Sequence, residues 1–155
     1  MTFTRKLGRS GIEVSALGMG CWAIGGPFFE KGTPLGWGGV DDNESIRAVH
    51  RAMELGVNFF DTANVYGAGH SERVLAKALA GKRKDVVIAT KFNAVFDEQT
   101  REVTGSDSTP AGIRKACEDS LKRLETDYID LYQFHDNGFP ADKAEPVRET
   151  LEELV

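Results

Sequence analysis

Apolar positions along this chain change period in a regular order. Short continuous runs at residues 57–60, 86–90 and 129–134 alternate with stretches whose apolar residues recur every three or four positions. Runs rich in branched and aromatic residues read as buried strands, and the longer spacing reads as amphipathic helix. The first helical stripe is Ile46, Val49 and Met53, with Asp41, Asp42 and Asn43 as N-caps before it and Gly56 as its stop. Ser71 caps a second, carrying Val74, Leu75, Ala78 and Leu79 and ending at Gly81. Thr109 followed by Pro110 opens a third, with Ile113, Ala116, Cys117, Leu121 and Leu124 on its buried side. A fourth begins near Pro146, where Val147, Thr150, Leu151 and Leu154 share a face.

Ahead of these, residues 3–7 and 12–14 flank the turn residues Gly8, Arg9, Ser10 and Gly11, the pattern of a β-hairpin. Residues 16–20 follow as a glycine-rich strand, and glycine within a strand marks close approach of a backbone or a ligand. The predicted order is a hairpin and then four strand–helix units, an α/β arrangement with a parallel sheet covered by helices. Connections from helix to strand are short, as at residues 55–57 and 125–127. Those from strand to helix are long, at 22–40, 61–70 and 92–109, which gathers the long loops on one rim.

That rim carries ionisable side chains. Asp61 closes the first continuous run, Tyr66 lies just beyond it, Lys91 closes the second and His135 the third. Taken singly each has an ordinary explanation: a helix cap, a turn aromatic, a solvated lysine, a loop histidine. Together they form a working set. A phenol is a proton donor, a neighbouring ammonium stabilises the phenolate, a carboxylate holds the ammonium, and a histidine orients a carbonyl oxygen. Such a set suits a general-acid site for carbonyl reduction, with hydride arriving from a cofactor.

Composition narrows the setting. The chain has 155 residues, 28% of them charged, with a formal net charge of −5, which argues against nucleic-acid binding through backbone neutralisation. No apolar stretch approaches the roughly 20 residues that span a bilayer, and the start lacks a signal-peptide core. Cys21 and Cys117 show no disulfide framework and have no nearby partners of a zinc set, so a reducing, cytoplasmic setting without a metal is expected.

Several segments closely resemble the aldo-keto reductase family. They are Gly56-Val57-Asn58-Phe59-Phe60-Asp61-Thr62-Ala63-Asn64-Val65-Tyr66-Gly67, Gly69-His70-Ser71-Glu72, Ala89-Thr90-Lys91-Phe92 and the run 127–135 ending in His135. The openings at 5–11 and 17–22 are similar to the family's start, so the resemblance covers essentially the whole chain, in order. It implies a TIM-type (β/α) barrel, NADPH as cofactor and a small-molecule aldehyde or ketone as substrate. It implies Tyr66 as general acid, Lys91 as the ammonium that makes it a better acid, Asp61 as partner of Lys91, and His135 as the carbonyl-orienting residue. Gly20, Cys21 and Trp22, at the first strand's end, are implied beside the nicotinamide together with Asp61. Phe28, Phe29 and Trp37, in the glycine-rich loop, either line a substrate mouth or pin the loop.

The family barrel is about twice this length, so residues 1–155 are expected to be its amino-terminal half, ending inside the fourth helix. First and fourth strands would then present open edges, which predicts self-association. Two other readings stay beside reduction: a half-barrel that acts by association or nucleotide binding without turnover, and an inactive truncated product.

Overall fold

A computed structural model describes residues 3–155. The hairpin forms as the turn residues predict, from β1 (Thr4–Lys6) and β2 (Glu13–Ser15), with Arg5 opposite Val14. Gly8 and Gly11 sit at φ +52° and +79°, in the left-handed region where a side chain is strained.

Four parallel strands make the main sheet: β3 (Met19–Gly20), β6 (Phe59–Asp61), β7 (Val87–Phe92) and β10 (Leu131–Phe134). They lie in chain order, β3-β6-β7-β10, each beside the next. Right-handed crossovers between sequential neighbours place every connecting helix on the same face. Those helices are α1 (Asp42–Glu54), α2 (His70–Ala78) and α3 (Pro110–Leu124), with α4 (Glu145–Glu153) following β10.

Strand side chains alternate between faces. Phe60, Ile88 and Phe92 point to the helices. Phe60 and Ile88 pack with Val49, Val74, Leu75 and Leu124, and Phe92 packs with Ile113 and Val147. Full burial of such a side chain contributes about 1.5–3 kcal/mol. The opposite parity in the same strands carries Asp61 and Lys91. Among the described residues, no helix is long and apolar enough to cross a membrane.

Two caps match expectation. Asp41 Oδ1 accepts from the Glu44 amide at 3.0 Å, and Thr109 Oγ1 from the Gly112 amide at 3.1 Å. Ser71 is a correction. Helix α2 starts two residues earlier, its N-cap is Gly69 at φ +87°, and Ser71 is fully buried inside the first turn. The first parallel strand is also shorter than the run 16–20, because only Met19 and Gly20 find partners on β6. Strand β10, expected to be buried, is half-buried throughout, since only β7 flanks it.

Two of the three long rim loops differ most from the sequence reading. Residues 22–40 contain β4 (Phe29–Glu30) and β5 (Thr33–Pro34); residues 92–109 contain β8 (Ala94–Asp97) and β9 (Glu102–Ser106). They pair as a second sheet, β5-β4-β9-β8, in which Phe29 lies opposite Glu102. Pairing between segments about 70 residues apart leaves no local period to read, and strands of two residues show no alternation. Beneath this cap, Phe28 packs with Ala63 and Val65, and Tyr66 lies against the same cluster.

Candidate active site

The strand register sets the site. Gly20 lies beside Asp61, Asp61 beside Ala89, and Lys91 beside Gln133, so the carboxyl ends of four strands meet on one rim. The β6–β7 ladder continues past Asp61: the Thr62 amide donates to Ala89 O at 2.8 Å and the Asn64 amide to Lys91 O at 3.1 Å. That extension turns the following loop across the rim and brings Tyr66 over Lys91.

Lys91 Nζ donates to Asp61 Oδ1 at 2.5 Å, to the Thr62 carbonyl at 2.8 Å and to Tyr66 Oη at 3.4 Å. An ammonium has three protons, and here each has an acceptor. Because Lys91 donates to the phenol oxygen, the phenol's own proton is free to go elsewhere. The Thr62 carbonyl is a site group that residue-type reasoning missed; backbone acceptors leave no mark on composition.

His135 stands edge-on to Tyr66, with ring centroids 6.0 Å apart and planes at 85°. Its amide donates to Phe92 O at 2.9 Å, which continues the β7–β10 ladder by one step. Burial first, and the Lys91 ammonium second, push the His135 imidazole below its ordinary value, with Asp61 opposing. At neutral pH the ring is therefore uncharged and can donate one N–H to a carbonyl oxygen.

Of the three tyrosines in the chain, only Tyr66 belongs to this group. Tyr132 donates to Ile113 O on the helix-covered side, where burial raises its pKa well above the ordinary range. Tyr128 packs under the Arg83 guanidinium, 3.9 Å from its centroid, just before β10 and so at the opposite rim.

Tyr66 is held by a close backbone crossing. A Cβ on Gly67 would lie 1.9 Å from Gly25 O, and one on Gly25 would lie 2.8 Å from the Tyr66 carbonyl carbon. Glycine at both positions lets the turn after β3 press against the tyrosine loop. Behind it, Ser71 Oγ donates to Cys21 O at 2.7 Å and bonds Thr62 Oγ1 at 2.8 Å, tying two strand ends to helix α2. Buried Glu72 accepts from Thr90 Oγ1 at 2.6 Å and from Arg123 Nε at 2.7 Å, anchoring the residue before Lys91. The signal for this pair was a glutamate beside the apolar stripe of α2.

The residues at the end of β3 divide. Gly20 has nothing within 4 Å of where a Cβ would sit, so space is open beside Asp61. Trp22 stacks on Tyr66 with centroids 5.9 Å apart and planes at 23°. Cys21, also expected near a ligand, offers the rim its backbone rather than its thiol. Its side chain turns into the core with Val49 and Leu75, and burial, reinforced by Asp61 against Lys91, pushes the thiol up to about 12. Only its backbone serves the rim, through Ser71 and through its amide bond to Asp61 O at 2.8 Å. Phe28 pins the loop and is buried, whereas Trp37 is 68% exposed at the site's edge.

Comparison with known proteins places the chain among relatives of one family. The model of the Aldo/keto reductase family matches residues 16–155. The chain is similar to Aldo-keto reductase YhdN of Bacillus subtilis, at 41% identity over 92% of this chain and 39% of the relative. Its structure is similar to the holo form of aldo-keto reductase AKR11C1 from Bacillus halodurans, with a TM-score of 0.84 at 37% identity, covering 99% of this chain and 46% of that one. It is also similar to an aldo-keto reductase from Klebsiella pneumoniae in complex with NADPH, with a TM-score of 0.74 at 28% identity, covering 100% and 46%. The chain thus spans about two fifths of the curated relatives' length.

Proposed function

The chain belongs to the aldo/keto reductase family, and on that footing we propose that it carries the proton-donating half of an NADPH-dependent carbonyl reductase. In this reading residues 1–155 form the amino-terminal half of a TIM-type (β/α)8 barrel, which the sequential strand order supports. The substrate is a small aldehyde or ketone, converted to the alcohol. Two free cysteines suit a cytoplasmic setting.

The observation that carries this reading is the three-way bonding of Lys91 to Asp61, Thr62 and Tyr66. When bound, a reduced nicotinamide supplies hydride to the carbonyl carbon. As negative charge grows on the carbonyl oxygen, Tyr66 Oη gives it a proton. The phenolate left behind faces the Lys91 ammonium, which stabilises it. Asp61 and the Thr62 carbonyl fix that ammonium in place. His135, neutral, donates to the same carbonyl oxygen and sets its direction. Water then returns a proton to Tyr66.

The residues present fit the reacting end of the cofactor. Gly20 leaves open space beside Asp61, and Trp22 offers a partly exposed flat wall next to Tyr66. Gly20, Trp22 and Asp61 would hold that end, with the Cys21 thiol excluded by its burial.

The test is titration of the purified chain with NADPH by cofactor fluorescence, followed by NADPH oxidation with a ketone. Binding and turnover are expected. Tyr66→Phe should cut turnover by about 10²–10⁴-fold and leave NADPH affinity in place. Full activity in that variant removes Tyr66 from the acid role. Binding without turnover in the wild type favours the nucleotide-binding reading over reduction.

A further inference from the structure

Loop residue Trp37 has no place in the mechanism, yet the fold holds it at the site. Its indole meets Trp22 edge-on, with centroids 5.9 Å apart and planes at 78°, and Trp22 in turn stacks on Tyr66. The three rings make a ladder that runs outward from the Tyr66 ring in two centroid steps of 5.9 Å. Trp37 is 68% exposed and belongs to no core cluster, so packing does not explain a side chain of this size there.

Nor is the loop loosely held. A Cβ on Gly36 would lie 2.2 Å from Gly26 O, and the Leu35 amide donates to Phe28 O at 2.9 Å. Phe28 is itself buried at 3% exposure. The residue just before the indole is therefore clamped to the same segment that packs on the tyrosine loop. A flat apolar surface on an anchored backbone is preorganised for a flat apolar ligand. Residues 35–41 contain no basic side chain to attract a phosphate or a carboxylate.

Resting on the reductase reading, we propose that Trp37 is a specificity-determining residue of the carbonyl site, its indole taking the aryl group of a ketone or aldehyde whose oxygen faces Tyr66 and His135. The favoured substrates are then aryl carbonyl compounds long enough to pass Trp22. Short alkyl carbonyl compounds reach the phenol without touching Trp37.

Binding rather than turnover tests this, so the result does not depend on catalysis. The chain contains two tryptophans, Trp22 and Trp37, so its indole fluorescence reports on this ladder alone. Wild type, Trp37→Ala and Trp37→Phe are titrated with 2-acetonaphthone, butanone and NADPH, and NMR shift titrations provide a second readout. Wild type should prefer the naphthyl ketone. Trp37→Ala should lower that preference roughly tenfold, and Trp37→Phe should keep most of it. An unchanged preference in Trp37→Ala overturns the proposal, as does a wild type that binds neither ketone. If Trp37→Ala instead weakens NADPH, the indole is a cofactor contact and the proposal falls. Failure of reduction is seen separately, as an absence of NADPH oxidation with ketone binding intact.

Discussion

His135 shows how one residue links site chemistry to stability. Its imidazole lies below its ordinary value of 6.5, through burial first and the Lys91 ammonium second. As pH falls below that value, the unfolded chain takes up this proton before the folded chain does, so acid favours unfolding. The penalty is absent above pH 6.5 and complete once pH is below the folded value. Urea midpoints measured from about pH 8 down to about pH 5 should therefore fall, and His135→Asn should flatten part of that fall. An identical slope in the variant would show that other groups carry the acid sensitivity. In the proposed reduction the same shift has a use, because a ring of lowered basicity competes poorly for the Tyr66 proton and stays a neutral N–H donor.

Between elements, one tie is electrostatic and buried. Glu72 on α2 is fully buried, and Arg123 on α3 is nearly so, with Thr90 of β7 completing the set. Removing one partner strands a charge without solvent, so Arg123→Ala should cost about 3–5 kcal/mol in urea unfolding. Replacing both ends of the pair by apolar residues should recover much of that loss, because the desolvation cost goes with the charges. The exposed ion pairs of Arg148 on α4 make the opposite case: Arg148→Ala should leave the midpoint unchanged. A small effect of Arg123→Ala would mean that water reaches Glu72 in solution.

At the scale of the whole molecule, the parallel sheet is open on both sides. Among the described residues, β3 pairs only with β6, and β10 only with β7, so each presents unpaired backbone groups. Light scattering over a concentration series should give a mass above the 17.0 kDa of one chain. A mass constant at that value would show that these edges are protected and would remove the reading in which the chain acts by association.

What the sequence determined by itself is what local chemistry encodes. Period, caps and turn residues were enough for the hairpin, the helices and the order of strands, because each depends on neighbours within a turn or two. Asp61, Lys91 and His135 were legible because they close apolar runs, and Tyr66 because it follows the first of them, all on a single rim. Tertiary structure decided the rest. Cys21 and Trp22 are adjacent in sequence, yet one thiol enters the core and one indole flanks Tyr66, because strand parity and the helix packed above set the direction. Ser71 reads as a cap but becomes a buried tie, since Gly69 ends the loop in the left-handed region and starts the helix early. The cap sheet and the place of Trp37 depend on two distant loops meeting. Contacts of that range have no period in the chain: the pairing of β4 with β9 and the crossing of Gly36 over Gly26 exist only once the backbone is folded.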